Sequence, residues 1–411
     1  MINQTKLNSF LDFSGQLLFV LFLFSVLFIP NLEIRHNLHI GAEEFFIPLM
    51  FLHWLFYRKS DAKNYIYLIG FIGIYILITI LINFKTQSIS DYFELYKIFK
   101  FGIIVLFATN VFASNKNLFH KTVCILLPAL LFLNFLHYFD VFGFNQTIEP
   151  YYADFENHLQ YFGLDSLGNP GSKRMLGTAG NPNVNALIFM FFFTYFLSKL
   201  DLKKINTAAW YVFMSAVGIV LCQSRTTMIG SVVILMAAFV FRRFTKKSLG
   251  FNFLIILMAV LVAYLISYAS LEYYANIHIK LAENKTLRGR FEIWQYLLEM
   301  IYKKPIFGYG PSKMFFYEND LYSENEYILY TWRYGLIGLI LYISWIIFPI
   351  FKNYKFSREH GFFLLMVIGI LISAITNNPL SSPMTMPLFA IAAAHFYAGK
   401  SGKLMCNENS I

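Results

Sequence analysis

Charge is what this sequence has least of. Asp, Glu, Lys and Arg make up 14% of its 411 residues, while 57% are hydrophobic; a soluble globular chain carries about 25% charge and about 45–50% apolar residues. That shortage excludes a cytosolic enzyme and a disordered chain, because neither could keep so much apolar surface out of water. Cysteine is scarce as well. Cys124, Cys222 and Cys406 form no CxxC pair and no metal-ligand spacing, which excludes a disulfide-stapled domain and leaves the redox compartment undetermined. Acidic residues are outnumbered, 23 against 33 basic, for a net charge of +10. In a soluble protein that balance would point to nucleic acid. In a chain this apolar, the question becomes which side of a membrane holds the cations.

What is present instead is a series of apolar runs, each near the roughly 17–25 residues that a membrane span needs. They predict an all-α polytopic membrane protein, a single integral membrane domain over 1–411, with about 12 transmembrane helices: 12–30, 42–57, 65–83, 96–113, 121–140, 184–199, 206–222, 226–241, 249–268, 328–350, 360–377 and 383–398. The first run ends at Pro30 without a small-x-small cleavage pattern, so it is expected to remain as a span. With both termini cytoplasmic, the inner segments collect Arg58, Lys59 and Lys63, then Lys199, Lys203 and Lys204, then Arg242, Arg243, Lys246 and Lys247, then Lys352, Lys355 and Arg358. The short outer segments hold only Arg35, Lys85, Lys97, Lys100 and Arg225. The positive-inside rule orients the chain accordingly. Two long outer loops, 141–183 and 269–327, interrupt the series, and loops of that length are usually functional or disordered.

The motifs that could carry chemistry lie in or beside these loops. In the second, Phe291, Trp294, Leu298 and Ile301 recur at helical spacing and predict an amphipathic helix that Lys303-Lys304-Pro305 closes. Arg288 and Arg290 are two apart and so do not share a face; one of them could meet a ligand, or both could be solvated on an interfacial helix. Gly308-Tyr309-Gly310 beside Pro311 reads as a turn, without the third glycine of a dinucleotide site. Ser323-Glu324-Asn325-Glu326-Tyr327 places carboxylates just before a span, where they are expected to be solvated unless one faces a cavity and serves as a base. Arg225, in a short break between two runs, either snorkels at the membrane boundary or binds an anion. The first loop ends in Arg174 and Gly177-Thr178-Ala179-Gly180-Asn181-Pro182-Asn183, a turn feeding a helix with Asn183 as candidate N-cap. The helix N-terminus and Arg174 could hold a phosphate there. Trp332 and Arg333 fit an interfacial belt, and Asn377-Asn378-Pro379 fits a turn between the last two spans.

Over residues 174–345 these segments resemble the O-antigen ligase and polymerase family of bacterial inner-membrane glycosyltransferases. The order is Arg174 with Asn181-Pro182-Asn183, Ser224-Arg225-Thr226, Gly289-Arg290-x-x-x-Trp294, Pro305-x-x-Gly308-x-Gly310, then Asn325 with Gly335-x-x-Gly338. The resemblance implies a GT-C-like membrane fold with two long periplasmic loops, no metal and no cofactor, and arginines near a lipid diphosphate. Arg225 and Arg290 match the family's arginines and Arg174 matches more loosely. Ligases of the family carry His-Asn where this chain has Glu324-Asn325, and the ligase histidine is the acceptor-activating base.

The resemblance therefore implies a repeat-unit polymerase of the Wzy type, acting on undecaprenyl-diphosphate-linked oligosaccharide donor and acceptor at the periplasmic face of the inner membrane. The lipid bilayer and a chain-length regulator would be its partners, with no nucleic acid. Glu324, Arg290 and Arg225 are the expected catalytic residues. Arg174, Arg288, Asn181, Asn183, Asn325 and Tyr327 are the expected diphosphate or substrate contacts. The alternatives are an O-antigen ligase acting on lipid A-core and a flippase for lipid-linked sugars. The latter calls for functional ionisable groups deep in the spans, which this sequence places instead in loops and at an interface.

Overall fold

The computed structural model describes residues 4–29, 32–35, 38–57, 62–145, 147, 174–200, 207–243, 285–319, 321, 323–353 and 358–408. In chain order the helices are α1 (Gln4–Phe28), α2 (Phe46–Phe56), α3 (Lys63–Ile82), α4 (Phe93–Ser114), α5 (Leu118–Phe139), α6 (Pro182–Lys199), α7 (Thr207–Cys222), α8 (Arg225–Arg243), α9 (Lys285–Lys303), α10 (Lys313–Glu318), α11 (Glu326–Asn353), α12 (Arg358–Ser373) and α13 (Thr385–Glu408). The helical expectation holds with one addition. A short antiparallel ribbon, β1 (Leu32–Arg35) and β2 (Leu38–Ile40), follows α1 and pairs Leu32 with Ile40.

Every expected span within the described residues coincides with a helix; the run 249–268 lies outside them. Among the described residues, five helical stretches, Asn8–Phe28, Lys63–Ile82, Ile89–Ser114, Leu118–Phe139 and Glu326–Phe351, are long and apolar enough to cross a membrane, and four shorter apolar helices accompany them. Large apolar side chains such as Leu49, Phe71, Ile74, Phe132 and Ile340 lie exposed on the outside of the bundle. That arrangement suits a protein whose solvent is lipid, since satisfying every backbone group inside a helix is what a bilayer demands. These features make the chain a helical, polytopic membrane protein.

Two helices position the site. The first is α6, in which every residue from Asn185 to Ser198 is buried. A helix apolar on all sides belongs in the middle of a bundle, and α6 packs against α7, α8 and α12. The second is α11, which is broken at Gly335 (φ 67°, ψ −171°). The break frees carbonyls that a neighbouring loop takes up. Tyr309 N–H donates to Trp332 O (3.0 Å), Gly310 N–H to Arg333 O (2.7 Å), and Leu336 N–H to Pro305 O (2.8 Å). The Tyr75 hydroxyl donates to Tyr334 O (2.8 Å). The Pro305–Pro311 segment, which the sequence presents as a plain turn, is thus threaded against the gap in a span. Non-helical backbone at such a place persists only when protein groups satisfy it. Glycine is required at the gap itself: a Cβ at Gly335 would stand 2.0 Å from Ile306 O.

Candidate functional site

The site is assembled from the ends of four elements. On α9, Arg290 and Trp294 are four residues apart and so share a face. That face grips the turn before α11. Arg290 Nη2 is ion-paired with Glu324 Oε2, and Trp294 Nε1 donates to Ser323 O at 2.5 Å. The Gly-Arg-x-x-x-Trp motif is therefore one clasp, arginine on the carboxylate and tryptophan on the carbonyl beside it. Glu324 is held in the left-handed region (φ 41°), a conformation disfavoured for any residue with a Cβ. Burial pushes its carboxyl above the usual range, and the charges of Arg290 and Arg174 pull it back.

Arg174 comes from the segment before α6. Its Nε donates to Cys222 O (3.1 Å) and its Nη2 to Asn183 Oδ1 (2.9 Å) and Gln223 O (3.4 Å). It thereby covers the last carbonyls of α7, which have no partner within that helix. Arg225 opens α8 two residues further on and is exposed. A cation at a helix N-terminus opposes the helix dipole. The N-cap of α6 is Asn181, whose side chain accepts from Asn183 N (2.9 Å) and Val184 N (3.3 Å). The expectation that Asn183 is the cap is corrected by two residues, to Asn181: Pro182 suits the first helical residue, where its missing N–H costs nothing, and this leaves the Asn183 side chain for Arg174.

The remaining expected contacts are placed as follows. Asn325 Oδ1 accepts from Ile328 N (3.0 Å) at the start of α11, and the Tyr327 hydroxyl donates to Leu371 O (2.6 Å) on α12. Arg288 lies in the first turn of α9, and its side chain falls outside the description. The structure thus gathers Arg174, Asn183, Arg290 and Glu324, with Arg225 on the adjoining strand of chain. Asn325 and Tyr327 serve the framework on the same turn.

Three expectations are corrected. The carboxylates before α11 do not both face solvent: Glu326 is 0% exposed. It accepts from the Tyr342 hydroxyl (2.6 Å), Leu380 N (3.1 Å), and Ser381 N and Oγ (2.6 and 2.7 Å), bonds that offset its desolvation. The apolar face of α9 is turned by about one position: Leu297 and Ile301 are buried with Trp332, whereas Phe291 and Leu298 are exposed. The helix docks on the stacked rings of Tyr309, Phe315 and Trp332, and these fix its rotation. For the same reason Trp332 and Arg333 are buried, not part of a belt.

One cluster escaped the sequence reading. Glu94 Oε1 faces Lys97 Nζ (3.0 Å), Lys313 Nζ (3.0 Å) and Arg333 Nη1 (3.9 Å). Glu94 and Lys97 are three apart on α4, but no spacing in the sequence relates them to Lys313 on α10 or Arg333 on α11.

With this geometry described, the comparison with known families is decisive on one point. Residues 210–343 match a family described as O-antigen ligase. Over that third of the chain the sequence is similar to the O-antigen ligase family. The matched region runs from α7 into α11 and contains Arg225, Arg290, Trp294, Glu324 and the gap at Gly335. Arg174, Asn183, Glu94 and Lys97 lie before it and reach the same end of the bundle only through folding. No curated protein matches the chain significantly.

Proposed function

We propose that the chain is a repeat-unit polymerase, a membrane glycosyltransferase that joins undecaprenyl-diphosphate-linked oligosaccharides into O-antigen or capsular polysaccharide. On this reading it has about twelve spans, lies in the bacterial inner membrane with both termini cytoplasmic, and works at the periplasmic face with a chain-length regulator as partner. The observation that carries the reading is the Arg290–Glu324 pair with Arg174 beside it, inside or adjoining the matched region.

In the proposed reaction the bond between the donor's anomeric carbon and its diphosphate oxygen breaks. The acceptor's sugar hydroxyl attacks that carbon, and its proton passes to the Glu324 carboxylate. The departing lipid diphosphate keeps the electron pair of the broken bond. Arginine suits this task, being always charged and offering a planar fork to phosphate oxygens. Arg225 and Arg290, with Arg174, take the developing charge. The ion pair with Arg290 also keeps Glu324 available as an ionised base despite its partial burial.

Ligation to lipid A-core is the second reading, favoured by the description of the matched family. A deletion strain separates the two on a polysaccharide gel: single-repeat products survive loss of a polymerase, while loss of a ligase removes all O-antigen. Complementation with Arg290→Lys or Arg225→Lys is expected to restore less than a tenth of the long ladder, since lysine keeps charge but not the fork. Wild-type ladders from both lysine variants would overturn the clamp.

A further inference from the structure

Glu94, Lys97, Lys313 and Arg333 form more than a structural ion pair. Three cations converge on a single carboxylate oxygen, at 3.0, 3.0 and 3.9 Å. The neighbouring carboxylate, Asp91, is already engaged: it accepts from Ser88 N (2.7 Å), Ser88 Oγ (3.1 Å) and Lys313 N (2.8 Å). Glu326 is likewise committed to Tyr342 and the 380–381 backbone. Among the described residues, Lys97 reaches beyond Glu94 only to Ser381 O, at 3.4 Å. Positive charge is therefore in excess at a place where partial burial makes uncompensated charge costly.

Arg333 sharpens the case. The residue is 9% exposed, its guanidinium lies 5.5 Å over the Phe316 ring, and its buried Nε has no hydrogen-bond partner among the described residues. A buried donor normally has an acceptor. Exposure rises from Arg333 through Lys313 to Lys97, so the cluster opens outward on the Lys97 side. Lys313 Nζ lies 5.9 Å over the exposed ring of Phe93, and Ile89 and Tyr92, just before it in the chain, are exposed as well, apolar surface suited to a ligand carried on a lipid.

We propose that Lys97, Lys313 and Arg333 form a second anion site, which takes the diphosphate of a second lipid-linked oligosaccharide, the acceptor. The identity of that lipid rests on the polymerase reading; the anion site rests on the charges alone. A reaction between two lipid-linked chains needs two diphosphates held apart, because the attacking hydroxyl lies at the far end of the acceptor's sugars. Glu326 and Arg333 are seven residues apart, hence on one face of α11 and about 10 Å apart along it. Two links join this site to the first: Glu326 holds Ser381, and Lys97 donates to the Ser381 carbonyl.

The test uses the full chain in phosphatidylcholine nanodiscs, with radiolabelled undecaprenyl diphosphate and inorganic pyrophosphate as probes. Wild type is expected to bind two equivalents of the lipid. An Arg174→Gln/Arg290→Gln background is expected to bind one, and adding Lys97→Gln or Arg333→Gln to it should weaken the remaining binding at least tenfold. Lys97→Gln, at the open edge, serves as the variant that keeps the fold, with the melting temperature as control. Retained lipid binding in both added variants, or none in the background, overturns the site and leaves the cluster a structural lock. Pyrophosphate binding without lipid binding overturns the acceptor role. The lipid stoichiometry is independent of any sugar product, so failure of the polymerase reading would appear in the polysaccharide gel and leave this result standing.

Discussion

Glu324 is the residue on which the proposed chemistry turns, and its surroundings set a pH signature. Burial favours its neutral form while Arg290 and Arg174 favour the charged form, with the net shift upward. A base must be ionised to work, so activity is expected to rise with pH through a carboxyl value above the ordinary ~4.3 of glutamate. Glu324→Gln should lose most activity, and what remains should lack that acid limb; an in vitro polymerisation assay across pH 4–8 measures both. Trp294 is a positioning residue on the same clasp. Trp294→Phe removes a hydrogen bond of about 1 kcal/mol net while keeping the ring. It should lower kcat and leave the acid limb in place, a split that general loss of fold would not give. Periodicity predicts Trp294 on the apolar stripe of α9, not in a clasp with Arg290, although the four-residue spacing that puts both on one face was visible in the sequence. What they hold was not, since nothing local relates them to Ser323 and Glu324. The pairing of Asn183 with Arg174 escaped because the sequence reading gives Asn183 the cap, a role that the extended backbone and side-chain bonds of Asn181 show to be that residue's.

Among elements, α11 departs furthest from what its sequence suggests. Its apolar run with Gly335 and Gly338 reads as an ordinary span, because glycine is common in membrane helices. The break depends on a partner, the Pro305–Pro311 loop, that lies outside the helix in sequence. Gly335→Ala is expected to destabilise the protein by at least about 3 kcal/mol, since only glycine tolerates that region of backbone space and the new Cβ would meet Ile306 O. Lower yield and a lower melting temperature in detergent would be the readout, whereas unchanged melting would mean the break is not needed. The apolar stripe on α9 was legible as a helix but not in its rotation. Periodicity tells that one face is buried, but it does not tell that the aromatic stack around Trp332 selects Leu297 and Ile301 over Phe291 and Leu298.

At the scale of the whole molecule, the order of helices among the described residues could be read from the apolar runs because each span must satisfy its own backbone. The cluster around Glu94 could not, for it joins α4, α10 and α11 across more than half the chain. The proposed orientation has a direct check. Alkaline phosphatase fused after Lys400 should be inactive and, inserted between α5 and α6, active; the reverse pattern would invert the site's face.

The enclosure of α6 has a consequence for how the protein is made. In the finished bundle Asn185 to Ser198 of this helix are buried; on the proposed reading it is a span that enters the bilayer during synthesis, with the Thr194 and Ser198 hydroxyls already donating to carbonyls of its own backbone. Its companion α7 follows at once in the chain, and the two pack along their length. The α12 side stays open until nearly the whole polypeptide has emerged. On that reading biogenesis passes through a stage in which one packing face of α6 lacks its partner, and truncation before α12 should yield a chain that inserts but is cleared by membrane quality control.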